Sequence, residues 1–209
     1  MPKVNVYLPD RLAADVKAAG LPVSAICQRA LERVLREVDL KAMTERPSVL
    51  GIYGRFLQRA RQSLDLAYEE AVIRRHATIQ SEDLLVGILQ QGSNFAVYIL
   101  ESLGVSPDDL IVRTYDLSPA GEAPPPFNAP LDRAIGDDTR RALALAAQHA
   151  AARGDYVGNE QLLYGLAAAE GTLASRILAE FAVDAEAVAR AMREQLRAWV
   201  DADRADDVP

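Results

Sequence analysis

From residue 57 onward, apolar residues recur at alternating three- and four-residue spacing, which is the pattern of an amphipathic helix. The first such series consists of Leu57, Ala60, Leu64, Ala67 and Ala71. Ser81 is predicted to cap a second helix, with two carboxylates in its first turn, where they complement the helix dipole. Asn94 opens a third helix that stops at Gly104, and Ser106 begins a fourth.

The second half of the chain repeats the first. Residues 79–89 correspond to residues 157–167, and residues 99–105 to residues 177–183. The most specific matches, 78 positions apart (160 − 82), pair Glu82, Leu84, Leu85 and Gly87 with Glu160, Leu162, Leu163 and Gly165. Asn159 stands at the cap position of its helix, and Asp184 caps a last helix that reaches about Val200. The pattern predicts two tandem copies of one helical unit.

The first 42 residues follow a different pattern. Residues 3–8 alternate strictly between apolar and polar side chains, which predicts a β-strand. Pro9 and Asp10 then open a short helix, which the segment 20–22 breaks, and Ser24 caps a longer helix with one apolar face. Residues 43–52 are predicted to be a linker, because Pro47 and Gly51 interrupt the helical spacing.

This strand followed by two helices resembles a ribbon–helix–helix DNA-binding domain. One strand and two short helices bury too little apolar surface alone, so we expect two copies to form a homodimer through a two-stranded ribbon. The resemblance implies that the ribbon reads operator DNA in the major groove with Lys3, Asn5 and Tyr7. It also implies that the start of the second helix holds a phosphate through its amides, at Val23, Ser24 and Ala25. The alternative is a dimerisation element without a role in DNA binding.

The region after residue 52 resembles the double Clp N-terminal domain, the helical module that receives substrates and adaptors in ClpC-type unfoldases. The resemblance rests on residues 53–56, 81–87 and 99–105 and on their repetition. It places repeat one at 53–115 and repeat two at 127–200, joined by an extended connection, with 201–209 as an acidic, disordered tail. The expected fold class is therefore mainly α: a ribbon–helix–helix segment followed by an all-helical double repeat.

In ClpC-type domains, the glutamate at the start of each repeat's second helix is a phosphoarginine anchor, and the resemblance transfers this role to Glu82 and Glu160. A carboxylate receives the guanidinium, and free amides at a helix N-terminus receive the phosphate. Ser81 and Asn159 precede the two glutamates and belong to the same candidate sites. The dipeptides before the glutamates are Gln-Ser and Gly-Asn, whereas the family has Gly-Thr. The alternative role of both glutamates is to complement the helix dipole.

The charge of the chain is unevenly distributed. The whole chain carries a net charge of −7. Residues 1–46 have 8 basic against 6 acidic side chains, and the remainder 15 against 24. An acidic chain disfavours nonspecific binding of nucleic acid but permits contact through a mildly basic N-terminal segment. With a single cysteine, Cys27, no apolar run of membrane-spanning length and no secretion signal, we expect a cytoplasmic protein without a membrane partner.

Few residues are arranged for catalysis. His76 and His149 have no partner at metal or triad spacing, and each is predicted to be a solvated residue at a helix end. The chain has no phosphate-binding loop of the Gly-x-x-x-x-Gly-Lys-Ser/Thr type. We therefore expect neither enzyme activity nor a cofactor or metal.

Three functions fit the sequence. The first is a DNA-binding regulator, an autorepressor, whose Clp-like half senses or sequesters peptides, modified proteins or cyclic-peptide antibiotics aimed at the Clp unfoldase. The second is a dimeric adaptor or decoy of the Clp protease system that does not bind DNA. The third is an antitoxin-like DNA binder, although antitoxins typically neutralise their toxins with a short disordered tail rather than a folded double repeat.

Overall fold

The computed structural model describes residues 54–126 and 131–206. Regular secondary structure in these residues is helical throughout, as predicted for this half. The helices are α1 (Gln58–Arg74), α2 (Ser81–Gln91), α3 (Phe95–Ser102), α4 (Pro107–Leu117), α5 (Leu131–Ala134), α6 (Asp137–Ala152), α7 (Asn159–Ala168), α8 (Leu173–Glu180) and α9 (Ala185–Asp206). The predicted ribbon–helix–helix segment and linker, with Lys3, Asn5, Tyr7, Val23, Ser24 and Ala25, lie outside the described residues.

Helices α1 to α4 recur in the same order as α6 to α9. Helix α7 begins 78 residues after α2 (159 − 81), and α6 begins 79 residues after α1 (137 − 58). The short helix α5 precedes the second set. The order of the helices along the chain therefore follows the repeat seen in the sequence.

Three predicted helix caps are present. The side chain of Asn94 accepts a hydrogen bond from the Val97 amide at 3.1 Å. Ser106 and Asp184 cap α4 and α9 in the same way, at 3.3 Å and 2.7 Å. Helices α2 and α7 begin differently from the prediction, because their caps are Gln80 and Gly158. Ser81 and Asn159 are therefore the first helical residues.

One glycine in each repeat lets the second helix lie directly on the first. A Cβ atom at Gly87 would stand 2.3 Å from the carbonyl oxygen of Ser63 and 2.8 Å from the amide nitrogen of Ala67. At Gly165 it would stand 2.2 Å from the carbonyl oxygen of Ala142. Backbone atoms cannot rotate away from such a contact, so the geometry requires a residue without a Cβ atom at both positions.

The two repeats are joined by crossed backbone contacts. Phe56, which precedes α1, forms an isolated parallel bridge with Val157, which precedes α7. Ile79, which precedes α2, forms the matching bridge with Ile135, which precedes α6. Each repeat thus pairs its entry segment with the interhelix segment of the other. Buried side chains from both repeats form one hydrophobic core.

The fourth helices of the two repeats differ in length. Helix α4 ends at Leu117, and Pro119, two residues later, keeps the chain out of helical geometry. Helix α9 runs to Asp206, past the predicted end near Val200, and so includes residues 201–206 of the acidic tail. Among the described residues, no helix has the length and apolar character needed to cross a bilayer.

Candidate functional site

The predicted site residues lie at the starts of α2 and α7. Ser81 and Asn159 are buried, and both side chains contact the other repeat. The Ser81 hydroxyl accepts a hydrogen bond from the Ala174 amide of α8 at 3.3 Å. The Asn159 side-chain oxygen accepts one from the Ser63 hydroxyl of α1 at 3.0 Å. The structure therefore brings Ser81 and Asn159 into the contact between the repeats, with their polar atoms engaged inside the protein.

Glu82, in the first site, is buried and hydrogen-bonded. The hydroxyl of Ser81 donates to one carboxylate oxygen at 3.0 Å, and the hydroxyl of Ser118 approaches the other at 3.4 Å. Ser118 belongs to the segment that follows α4. The first site is consequently covered by a part of the chain 36 residues away.

His76, predicted to be solvated and unpartnered, is buried beside the first site. Its Nδ1 atom lies 2.9 Å from both carboxylate oxygens of Asp83, and its Nε2 atom lies 3.0 Å from the carbonyl oxygen of Pro119. The Gln80 amide donates to the same Asp83 carboxylate at 2.8 Å. The prediction was wrong because these contacts depend on a helix start and on the distant segment after α4.

These contacts shift the pKa values of both groups upward. Burial alone lowers the pKa of His76, but the hydrogen bond to the Pro119 carbonyl and the Asp83 carboxylate outweigh it, so the net pKa is raised. Burial raises the pKa of Asp83 to about 6, against the opposing effects of the Gln80 amide and His76. The pair is a coupled, buried acid and base at the start of α2.

Glu160, in the second site, is only half-buried, and its side chain folds back over the start of α7. A Cβ atom at Gly158 would lie 2.5 Å from both Glu160 carboxylate oxygens. Burial raises the pKa of Glu160, and the hydrogen bond that its carboxylate accepts from its own amide partly offsets this. Among the described residues, no cationic side chain forms a salt bridge with Glu160.

An open cavity of about 690 Å³ lies beside Glu160. The starts of α1, α3 and α7 and one face of α9 surround it. Its apolar wall consists of Leu57, Phe95, Tyr156, Met192 and Leu196. A second cavity of about 640 Å³ lies along α3 and shares three lining residues with the first, namely Arg59, Asn94 and Phe95.

The other charged groups of the larger cavity are engaged within the protein. Arg153 pairs with Asp155 at 3.6 Å, and the guanidinium of Arg59 donates to the carbonyl oxygen of Ser93. Glu160 differs from Arg153 and Asp155 in having no salt bridge among the described residues, although its carboxylate accepts hydrogen bonds from its own amide and from Gln161. An apolar wall with a small number of polar groups is the usual composition of a binding pocket.

Comparison with known proteins identifies the fold. Residues 55–181 match the model of the Clp repeat N-terminal domain, over more than half of the chain. The chain belongs to this family. The matched segment runs from the entry of α1 through α8, so it includes repeat one and repeat two without α9. It does not include residues 1–42, so the ribbon–helix–helix resemblance stays a prediction.

Relatives of this Clp N-domain include large chaperones. It is 31% identical over 128 residues to the chaperone protein ClpB of Oceanobacillus iheyensis, covering 61% of this chain and 15% of that one. It is 28% identical over 145 residues to the chloroplastic chaperone protein ClpC1 of Arabidopsis thaliana, covering 69% and 15%. The chain therefore spans about 15% of the length of these relatives.

A solved structure shares the fold of the Clp N-domain. The N-terminal domain of the caseinolytic protease associated chaperone ClpD from Arabidopsis thaliana matches with a TM-score of 0.54 at 16% identity. The match covers 68% of this chain and 95% of the ClpD domain. At this identity the likeness establishes the fold and not the ligand.

Sequence reasoning also missed features of the second repeat. His149 was predicted to be solvated, but it is half-buried and stacks on Tyr164 with 3.9 Å between ring centroids. Burial lowers its pKa, and Arg153 lowers it further. The apolar cavity wall was missed as well. Met192 and Leu196, one helical turn apart on α9, gave a usable signal, although their spacing alone also fits a core face.

Proposed function

We propose that this protein is a non-catalytic, cytoplasmic binding module of the Clp system that receives a peptide segment in the cavity beside Glu160. The observation that carries the proposal is the combination of an open apolar cavity with a carboxylate that lacks a cationic partner among the described residues. Membership of the Clp N-domain family, with ClpB and ClpC1 among its relatives, supports a role as substrate receptor, adaptor or decoy.

The composition of the cavity indicates its ligand. A peptide with an aliphatic or aromatic side chain would cover the apolar wall, and a neighbouring arginine or lysine would reach Glu160. A guanidinium is the better partner, since it donates two parallel hydrogen bonds to one carboxylate. Phosphoarginine would need the α7 amides for its phosphate, and the Glu160 carboxylate now lies across that helix start. The unmodified cation is therefore the favoured ligand, ahead of the phosphorylated form.

Fluorescence anisotropy with matched peptides tests this proposal. The probe is a fluorescein-labelled peptide with a Leu-Arg-Phe centre, compared with its phosphoarginine and Leu-Glu-Phe counterparts. We expect the arginine peptide to bind most tightly. The Glu160→Gln variant should weaken binding at least about tenfold, since a charge-assisted hydrogen bond contributes about 1.5–3 kcal/mol. The Leu196→Asp variant should also weaken binding, because it replaces part of the apolar wall with a carboxylate.

Two substitutions serve as matched controls. Glu82→Gln alters the equivalent glutamate of repeat one, and Val112→Asp places a charge on an exposed apolar residue that does not line the cavity. Both should leave the affinity unchanged. Equal losses in all four variants, or equal affinity for the Leu-Glu-Phe peptide, would overturn the assignment of the site.

A second candidate function is DNA-binding regulation, with the Clp N-domain as the sensor of a peptide or cyclic-peptide antibiotic. The alternation of Lys3, Asn5 and Tyr7 on one face of a predicted strand favours it, since a homodimeric ribbon would present them to operator DNA. The test is an anisotropy titration of DNA from upstream of the gene, at two salt concentrations with nonspecific competitor. Specific binding that Lys3→Ala and Asn5→Ala abolish, with the dimer retained, would support regulation. Binding no tighter than to competitor DNA would favour the dimeric adaptor or decoy.

A further inference from the structure

The two equivalent sites differ in the segment that follows the fourth helix of each repeat. After α4, residues 118–122, here called the strap, turn back across the start of α2. The Gly121 amide donates to the Arg74 carbonyl oxygen at 2.9 Å, and the Arg75 guanidinium donates to the Glu122 carbonyl oxygen at 2.8 Å. The guanidinium of Arg74 donates to the Ser118 carbonyl oxygen. The strap is thus held to the end of α1 at both of its ends, through Ser118 and through Gly121 and Glu122.

The strap also contacts the functional groups of the first site. The Ser118 hydroxyl approaches the Glu82 carboxylate at 3.4 Å, and the Pro119 carbonyl oxygen lies 3.0 Å from Nε2 of His76. Glu82 is left 8% exposed, whereas Glu160 is half-buried beside an open cavity. The glutamate that could receive a ligand cation in repeat one is therefore covered by the chain itself.

Repeat two has no strap at the equivalent positions, because α9 continues as a helix. The residue equivalent to Ser118 is Leu196 (118 + 78), which lies within α9 and forms part of the cavity wall. The same position of the repeat thus holds Ser118, which covers the first site, and Leu196, which lines the cavity of the second. The difference follows from Pro119, which cannot continue α4, while Arg197 at the equivalent position continues α9.

We propose that the strap is an intramolecular competitor that keeps the first site closed, so that the resting protein binds one peptide, and that its release opens a second site for the same class of ligand. This inference rests on the proposed function for the class of ligand. The strap and a ligand would compete for Glu82. The apparent affinity of the first site is therefore its intrinsic affinity multiplied by the fraction of molecules in which the strap is open.

Two substitutions loosen the strap by different means. Gly121→Ala places a Cβ atom 2.1 Å from the Arg75 carbonyl oxygen, which pushes the strap off the end of α1. Arg75→Asn removes the hydrogen bond to Glu122 and suits the positive φ of 61° at this position. Ala120→Ser, at an exposed residue within the strap, is the matched control.

Isothermal titration with the Leu-Arg-Phe peptide measures the number of sites. We expect one peptide per chain for the wild type and for Ala120→Ser, and two for each loosened variant. Adding Glu82→Gln to a loosened variant should return the number to one. Two peptides bound by the wild type, or one by both loosened variants, would overturn the inference. Binding lost from every protein would instead contradict the proposed function.

Amide hydrogen exchange tests the strap without any ligand. In the loosened variants we expect roughly tenfold or faster exchange of the amide of residue 121, which in the wild type donates to the Arg74 carbonyl oxygen, with protection retained in α1 and α2. Loss of protection throughout α1 and α2 would show that the strap is an inseparable part of the core. The inference would then be wrong, whatever the peptide measurements give.

Discussion

His76 and Asp83 form a buried pair whose protonation is linked to the stability of the protein. The pKa of Asp83 is raised from its ordinary value of 3.8 to about 6, and the pKa of His76 is raised above its ordinary value of 6.5. For both groups the folded pKa exceeds the unfolded pKa, so the folded protein binds protons more tightly. The stabilisation is complete below the unfolded pKa and is lost as the pH rises through the folded one.

This linkage predicts that the stability of the protein depends on pH. The free energy of unfolding should fall as the pH rises from about 4 to 6, where Asp83 ionises, and again above about 6.5, where His76 loses its proton. Urea unfolding at pH 4.5, 6 and 8 measures the trend. In the Asp83→Asn variant, the side-chain oxygen can still accept the hydrogen bond from the Gln80 amide. The decrease in the free energy of unfolding with rising pH should be smaller in this variant. A wild type that gains stability relative to this variant with rising pH would contradict the sign of the linkage.

The positions of Glu82 and Glu160 could be predicted from the sequence, but their burial and the contacts of His76 could not. Glu82 and Glu160 were found together because the repeat aligns them, and the structure places both at helix starts as expected. Their different burial could not be predicted, since it depends on a strap that lies 36 residues after Glu82. His76 was misjudged for the same reason: spacing along the chain predicts contacts within a helix, whereas its contacts bridge a cap and a distant segment.

At the scale of elements, the close contact between α1 and α2 depends on the absence of a Cβ atom at Gly87. Gly87→Ala would place a Cβ atom 2.3 Å from the Ser63 carbonyl oxygen, and the helices would have to separate. We expect a loss of about 3 kcal/mol in the free energy of unfolding, at the upper end of overpacking effects. Gly165→Ala should cost a similar amount through the Ala142 carbonyl oxygen. Chemical denaturation measures both.

The control for this prediction is an alanine at an exposed position of α1. Glu69→Ala removes a side chain that faces solvent and should change the free energy of unfolding by no more than about 0.5 kcal/mol. Gly87→Ala could instead change the free energy of unfolding as little as this control, or raise it as alanine does in a free helix. Either result would contradict the close contact between α1 and α2.

Helical spacing predicted most of the elements themselves. The caps Asn94, Ser106 and Asp184 were located because polar side chains with local hydrogen-bonding capacity precede apolar periodic runs. The starts of α2 and α7 were placed one residue late, because Gln80 and Gly158 are weaker cap signals than Ser81 and Asn159. The end of α9 was missed because acidic composition suggests disorder even where a helix continues.

At the scale of the molecule, the two repeats are expected to fold as one unit. Phe56 and Ile79 both pair with segments of repeat two, and one hydrophobic core contains side chains from both repeats. Residues 54–126 alone would expose the core side chains that repeat two covers, and would leave both bridges unpaired. We therefore predict one cooperative unfolding transition for residues 54–206, and no cooperative transition for residues 54–126 alone.

Circular dichroism and near-ultraviolet absorbance, followed through the same urea titration, check this prediction. The two transitions should coincide for residues 54–206. Two separated transitions, or a cooperative transition in the half-length fragment, would show that the repeats are independent. The helices could be predicted from the sequence, but this interdependence could not, because the bridging residues resemble ordinary core residues.

The crossed bridges have a consequence for the ancestry of the chain. Both bridges join the entry segment of one unit to the interhelix segment of the other, so they are one contact used twice. A single ancestral unit, before duplication, could make this contact only with a second copy of itself, through a two-fold symmetric interface. Duplication and fusion would turn that homodimer into one polypeptide. Once two copies exist, each can change independently; here one half has Pro119 after its fourth helix, whereas the fourth helix of the other half continues to Asp206.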